Sequence, residues 1–423
     1  MIKFLFKGII RDRSRSLFPL LVVAAGVSLT VLLYSWIQGI GDDMIRANAN
    51  FYTGHVKVTT RAYAEEIDQM PNDLALLNVD SLLTELRSQF PALQWTPRIR
   101  FGGLLDKPDE AGETLVQGPI AGMAVDLFSD NSPEKKTLNL RPALVRGHLP
   151  SRAGDILISD RFCTELNINP GDTVTLISSG MYGGLAMANF RVAGTIRFGV
   201  TAMDRGMMIA DLCDIQKALD MQDAAGEILG FFMDGFFHQK KAAHIVQTFN
   251  SQSDSTDDFA PVMLSLRDQH DLGEMLDMVS SLTGVFIGLF IFVMSIVLWN
   301  AGLMNSIRRY GEIGVRLAIG EDKGHIYKTM LVESVIIAFI GTLLGTILGL
   351  AISYFLQYKG INIGYMMKNA SMLLFDVVRA RVTATSYVIG FIPGLVSTTV
   401  GTAISGIGIY RRQTSQLFKE LEV

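Results

Sequence analysis

Apolar and polar positions are distributed unevenly along the 423 residues. Four windows, Ser16–Gly41, Met278–Ile307, Ser334–Tyr358 and Val382–Tyr410, contain no Asp, Glu, Lys or Arg. Each exceeds the ~20 apolar residues that take a helix across a hydrocarbon core of about 30 Å. The pattern predicts transmembrane helices at 16–41, 278–307, 334–358 and 382–410. The first window has the basic lead of a secretory signal, and Ala47-Asn48-Ala49 mimics a small-residue cleavage site. Its apolar run is about twice the length of a signal core, however, and that site lies well past its end, so a retained anchor is the reading adopted.

Residues 42–277, between the first two spans, show a different pattern. His55-Val56-Lys57-Val58 alternates at period two, as does Thr173–Ile177 after the turn Asn169-Pro170-Gly171-Asp172, and both mark strands. Asp211–Met221 has helical spacing, with Leu212 and Ile215 as its apolar marks, and the glycine-rich Ser179–Gly184 is expected to join two strands. The expected fold class is an α-helical membrane bundle of four transmembrane helices plus a large α+β extracytoplasmic domain between the first and second.

Charge adds orientation. Only 18% of the residues are charged, against about 25% in soluble proteins. Residues 1–15 carry Lys3, Lys7, Arg11, Arg13 and Arg15 against Asp12, residues 308–333 carry five basic side chains, and the tail 411–423 opens on Arg411-Arg412. The positive-inside rule puts these three segments and both termini in the cytoplasm of a multi-pass membrane protein. The loop 359–381, placed outside, is itself basic and departs from the rule locally. The 236 residues of 42–277 carry 20 Lys and Arg against 33 Asp and Glu, a net −13. That is enough chain to bury its own core. Its acidity fits either a solvated surface or a docking face for a basic partner.

No enzyme signature is present. His238 and His244 are the closest histidine pair and share no ligand-like spacing, and no Gly-x-x-x-x-Gly-Lys-Ser/Thr loop occurs. No catalytic residue, metal ligand or cofactor is therefore expected of this chain. Cys163 and Cys213 both fall in 42–277, in stretches that look helical. An oxidising compartment would permit a disulfide, and burial as free thiols is the alternative. The spans lack the ionisable residues of channels and proton-coupled carriers. They carry glycines at four-residue spacing instead: Gly284 and Gly288, then Gly341, Gly345 and Gly349, then Gly390 and Gly394. This spacing lets helices approach closely and predicts a compact bundle. Pro393 predicts a kink in the fourth span.

The charged stretch between the second and third spans demands a function of its own. Arg308, Glu312 and Arg316 fall at i, i+4 and i+8 of a helix, Ile313 and Leu317 lie on a neighbouring face, Gly320 is a helix stop, and Glu321 or Asp322 opens the next helix. Such a segment is either an amphipathic connector at the lipid headgroups or a handle for a cytoplasmic partner.

A family resemblance favours the second. Asn300…Met304…Ser306…Arg309-Tyr310-Gly311-Glu312-Ile313-Gly314-Val315-Arg316-Leu317-Ala318-Ile319-Gly320 resembles the signature of the MacB, FtsX and LolC/LolE family of ABC transporter permeases. It departs from that signature at Ala301, where Thr is usual, at Arg308, where Glu is usual, and in the inserted Leu317. Arg146-Gly147-His148-Leu149-Pro150…Asp155–Ser159…Pro170-Gly171-Asp172 resembles a Gly-Arg-x-Pro…Gly-Asp pattern of the same family, and Gly54-His55-Val56-Lys57-Val58 looks most like the LolC/LolE branch.

The resemblance implies a mechanotransmission permease without its own motor. It would work with a cytoplasmic ABC ATPase dimer that binds ATP and Mg, a second permease chain identical or related to this one, membrane lipid, and a periplasmic carrier or adaptor; nucleic acid is not among the implied partners. Arg308, Arg309, Glu312, Ile313, Gly314, Arg316, Leu317 and Gly320 would couple it to the ATPase. Residues 1–15, with Lys3, Lys7 and Arg11 on one face and Ile2, Phe6 and Ile9 near another, would lie along the inner membrane surface. Lipoprotein release or related lipid or peptide handling is the leading function. FtsX-like activation of a cell-wall hydrolase and MacB-like export with an adaptor are the alternatives. MacB itself carries a fused ATPase, and FtsX has a smaller external domain.

Overall fold

The computed structural model describes residues 13–411 apart from 110, 130–131, 199–200, 254–256, 270–271, 308–309 and 363–376. The amphipathic reading of residues 1–12, Arg308, Arg309, the tail from Arg412 and the middle of the 359–381 loop lie outside the described residues. The chain divides into a helical unit, built from the described parts of Met1–Asp42, Met278–Asn362 and Val377–Val423, and a unit built on Asp43–Asp277.

The first helix, α1 (Arg13–Asn48), runs without interruption well past its charge-free window. An α-helix satisfies its own backbone groups, as a lipid environment requires, and Thr30 adds a hydrogen bond from Oγ1 to the Gly26 carbonyl at 2.8 Å.

In the inserted unit, ten strands among the described residues form one sheet: β1 (Val56–Thr60), β2 (Leu93–Pro108), β3 (Thr114–Val125), β4 (Leu144–Gly147), β5 (Asp155–Ser159), β6 (Thr173–Ser179), β7 (Leu185–Ile196), β8 (Met207–Asp211), β9 (Glu227–Phe232) and β10 (Pro261–Ser265). Their order is β10-β1-β9-β2-β3-β8-β5-β7-β4, and β6 pairs with both β2 and β7. The ladder β2-β3-β8-β5-β7-β6 therefore returns to β2 and closes a barrel. The 16-residue β2 pairs with β9 over its first six residues and with β3 and β6 over the rest. Ser179–Gly184 turns β6 into β7, with Gly183 at φ +78 and the Gly180 N–H donating to the Gly184 carbonyl at 2.8 Å. Helices flanking the sheet include α2 (Val79–Gln89), α3 (Asp160–Glu165), α4 (Leu212–Ala218) and α5 (Gln239–Asn250). Ile99, Phe101, Leu105, Ile156 and Leu176 belong to a continuous core with Leu83 and Leu86 of α2. Gly122 leaves the room that the Phe101 ring fills.

One feature of this unit differs from a pattern-based reading. Period two would put Lys57 in water, yet all five β1 residues are buried. Lys57 Nζ lies 2.6 Å from Glu227 Oε2 on β9, both side chains wholly buried. Beside them Arg98 forks onto Glu134, Nε to Oε1 at 2.8 Å and Nη2 to Oε2 at 2.7 Å. Cys163 in α3 is buried and Cys213 in α4 is exposed, and both are free.

The motif residues of 146–172 act as ties. Arg146 Nε meets Asp160 Oδ1 at 2.7 Å, Thr195 donates to the same oxygen, and Lys107 meets Asp172 at 2.6 Å.

His55, just before β1, accepts a hydrogen bond at Nδ1 from the Phe232 N–H at 2.9 Å and packs among Phe231, Phe232 and Phe237. Burial lowers its pKa to about 4. The unfolded chain therefore binds a proton that the folded chain rejects between pH ~6.5 and ~4. Across that window the unit is expected to lose about 3 kcal/mol of stability on acidification. His55→Asn, which keeps an acceptor, is expected to flatten that stretch of the stability–pH curve in denaturant titrations of the detergent-solubilised protein.

The chain continues through α6 (Leu272–Ile307), α7 (Tyr310–Ala318), α8 (Lys323–Lys359) and α9 (Thr398–Arg411). Among the described residues, four segments are long and apolar enough to cross a membrane: Leu17–Thr53, Leu272–Met304, Lys323–Lys359 and Ala384–Ile407. The last is not one continuous α-helix. A 3₁₀ turn at Ala384–Tyr387 and a π-helical stretch at Ile392–Ser397 precede α9. Pro393, which has no N–H to give the i−4 carbonyl, sits in the first turn of the π-helical stretch.

Helices α1, α8 and the fourth span pack through glycine. A Cβ on Gly345 would meet the Ala24 carbonyl at 2.5 Å, one on Gly349 the Ser28 carbonyl at 2.9 Å, and one on Gly390 the Val27 Cγ1 at 2.6 Å. Val27, fully buried, is the hub. The compact four-helix bundle needs one correction. Only 6% of the apolar window of α6 is buried. Its last turns touch α1 through Met294 and Leu298 at Gly26, and reach the fourth span through Trp299 at Gly401. Its earlier turns expose Leu282, Val285, Phe286, Leu289 and Phe292.

Candidate functional site

The turn between α6 and α8 is built from the inside out. Ile313 is buried against Ile326 and Met330 of α8, with Leu317 and Tyr327 closing the cluster. This small core fixes which face of α7 looks inward. Gly320 then takes φ +96, a conformation costly to any residue with a Cβ, and α7 stops. Asp322 caps α8, its Oδ2 accepting from the Gly324 and His325 N–H groups at 2.9 and 3.2 Å. An N-terminal carboxylate also favours the helix dipole. Arg316 reaches forward across the turn, Nε to Glu321 Oε2 at 2.6 Å and Nη2 to Oε1 at 2.5 Å. Those hydrogen bonds hold the Glu321 carboxyl below the ordinary carboxylate range.

Of the predicted coupling residues, Ile313 and Gly314 are buried and Leu317 is partly covered, so they brace the turn. Arg316 and Gly320 set its shape. The outward residues are Val315, 46% exposed, and Ile319, 81% exposed, and pattern reading missed them. Residues 313/317 and 315/319 both repeat at i, i+4, so periodicity finds two apolar faces without saying which one the protein covers. Among the helix-packing glycines, Gly341, Gly345, Gly349, Gly390 and Gly394 face α1 or one another's helices, whereas Gly284 and Gly288 face open space. In the inserted unit, Tyr182, Leu185 and Met187 stand exposed on the β6–β7 hairpin.

Residues 284–414, which contain this turn, match the family model for the FtsX-like permease C-terminal domain. That stretch is FtsX-like, and the chain is similar to proteins named LolC and MacB. The FtsX-like match spans three of the four candidate spans. The chain is 24% identical to the lipoprotein-releasing system transmembrane protein LolC of Xylella fastidiosa over 256 residues, which is 58% of this chain and 59% of that LolC. It is 28% identical over 97 residues to the macrolide export ATP-binding/permease protein MacB of Wolinella succinogenes, covering 23% of this chain and 15% of that MacB. With MacB of Neisseria meningitidis it shares 33% over 108 residues, or 24% and 16% of the two chains. The periplasmic region of MacB from Actinobacillus actinomycetemcomitans superposes over 57% of this chain and 95% of that region, with a TM-score of 0.36 at 13% identity. FtsX-like permeases are membrane subunits of ABC transporters.

Proposed function

We propose that this permease transmits ATP-driven motion from a separate cytoplasmic ABC ATPase to its inserted domain in the periplasm, and that it serves lipoprotein release or related lipid handling. The observation that carries the reading is the α7 turn. Three devices fix it: a buried apolar brace, a glycine stop and an Arg316–Glu321 fork. It presents Val315 and Ile319 to a partner. An interfacial connector would need no such rigidity. The orientation proposed puts α7 and both termini in the cytoplasm. LolC supports the choice of cargo because that similarity extends over more of the chain than the MacB matches. A second permease chain would cover the open flank of α6 at Gly284 and Gly288, and a periplasmic carrier would meet the hairpin bearing Tyr182, Leu185 and Met187. MacB-like export and FtsX-like signalling would use the same motor contact and differ only outside.

The test is co-purification with a co-expressed candidate ABC ATPase from lipid-reconstituted protein. Ile319→Asp, Glu312→Lys and Arg316→Glu are each expected to cut ATPase retention about tenfold or more, as loss of a central contact does. Unchanged retention and ATP turnover in all three would show that the turn is only a connector.

A further inference from the structure

At the far end of the helical unit from α7, a short backbone segment is locked onto α1. A Cβ placed on Gly39 would run into the Arg379 carbonyl and meet the Ala380 Cα at 2.9 Å, so the chain at 379–380 lies directly on the helix. The Arg381 N–H donates to the Ser35 carbonyl at 2.8 Å, and the Arg381 guanidinium forms an ion pair with Asp42. Ser35 Oγ donates to Ser386 Oγ at 3.1 Å, and the Val382 N–H donates to Gln357 Oε1 near the end of α8 at 3.0 Å. Val378 and Ala380 are 1% and 2% exposed. The connector between the third and fourth spans is thus tied to α1 at Ser35, Gly39 and Asp42, and to α8 at Gln357.

We infer that this clasp, with Asp42–Arg381 and the Gly39 seat as its positioning contacts, hands movement of α8 and the fourth span to α1. The inference rests on the mechanotransmission reading above. Its physical basis is that α1 meets these helices between Val23 and Val31 by close packing on Gly341, Gly345, Gly349, Gly390 and Gly394, which resists separation more than sliding. The clasp adds a backbone hydrogen bond, a hydroxyl–hydroxyl bond, a charge-assisted bond and a backbone seat that admits only glycine. Directional bonds resist displacement along the helix axis, where close-packed apolar surfaces offer mainly steric resistance. Because α1 continues unbroken past Asp42 to Asn48, displacement taken up at Ser35–Asp42 passes into the start of the inserted unit.

The test is hydrogen–deuterium exchange on the full chain in lipid nanodiscs, alone and with the co-purified ABC ATPase plus ATP and Mg. Arg381→Gln, by removing a charge-assisted bond, and Gly39→Ala, by displacing the Arg379 carbonyl from its seat, are each expected to speed exchange about tenfold both in 377–383 and at the end of α1. Asp42→Arg combined with Arg381→Asp is expected to restore slow exchange. In wild type, ATP is expected to change exchange at 36–48. In Arg381→Gln that response is expected to vanish while ATPase retention and turnover persist. If ATP still moves 36–48 in Arg381→Gln and Gly39→Ala, the clasp is a static brace and the inference falls. If wild type retains no ATPase at all, the motor reading fails instead, and exchange without nucleotide still decides whether the two elements are coupled.

Discussion

Lys57→Met is expected to destabilise the inserted unit by about 3–5 kcal/mol, the usual cost of breaking a buried ion pair by removing one partner. Glu227 is wholly buried, and with Lys57 gone its remaining basic neighbours are Arg100, whose Nε lies 3.9 Å away, and Arg98, which is already forked onto Glu134. Burial pushes the Glu227 carboxyl up, but Lys57 and Arg100 outweigh it and its pKa falls below the ordinary value. The carboxylate therefore contributes stability above the unfolded-chain pKa, and that contribution is lost as pH drops through the lower folded value. Adding Glu227→Leu to Lys57→Met is expected to recover most of the loss, because a paired apolar replacement leaves no orphan charge. Denaturant unfolding of the four proteins in one detergent would read the cycle. A single-variant loss below about 1 kcal/mol would mean water reaches Glu227 and the pair is not sealed.

Gly345→Val is expected to open the contact between α1 and α8. The added carbons would meet the Ala24 carbonyl at 2.5 Å and the Val27 Cβ at 2.8 Å, and neither can swing aside. Backbone must move, and overpacking of this kind costs roughly 1–3 kcal/mol and sometimes more. Val27 is also the residue a Cβ on Gly390 or Gly394 would strike, so the displacement spreads to the fourth span. Gly341→Val and Gly349→Val are expected to act in the same direction. Gly284→Val, in open space, is expected to leave the thermal stability of the single chain unchanged and to weaken self-association or pairing with a second permease. Thermal unfolding followed by size-exclusion chromatography separates the two outcomes. Equal losses at Gly284 and Gly345 would refute the packing argument.

The parts of this structure written most plainly in the sequence are those fixed by local chemistry. Gly320 ends a helix because it alone tolerates φ +96 there, Asp322 caps the next because its carboxylate reaches two free N–H groups, and Ser179–Gly184 turns between strands. The long charge-free windows become spans for the same reason, since a bilayer leaves backbone few alternatives. What stayed hidden depends on contacts distant in sequence. Lys57 looks like a solvent-facing strand residue until β9 brings Glu227 beside it. Ile313 and Ile319 are equivalent in periodicity until Ile326 and Met330 cover one and leave the other bare. The Gly39 seat is invisible because its partner lies some 340 residues later in the chain.

The sharing of β2 has a consequence for dissection. Its first six residues belong to the β10-β1-β9 flank and its remainder to the closed barrel, so both parts hold one strand as a party wall. A truncation at any point between 93 and 108 would strip an edge from each. The inserted unit is therefore expected to melt in a single cooperative step, and limited proteolysis should release it whole or not at all.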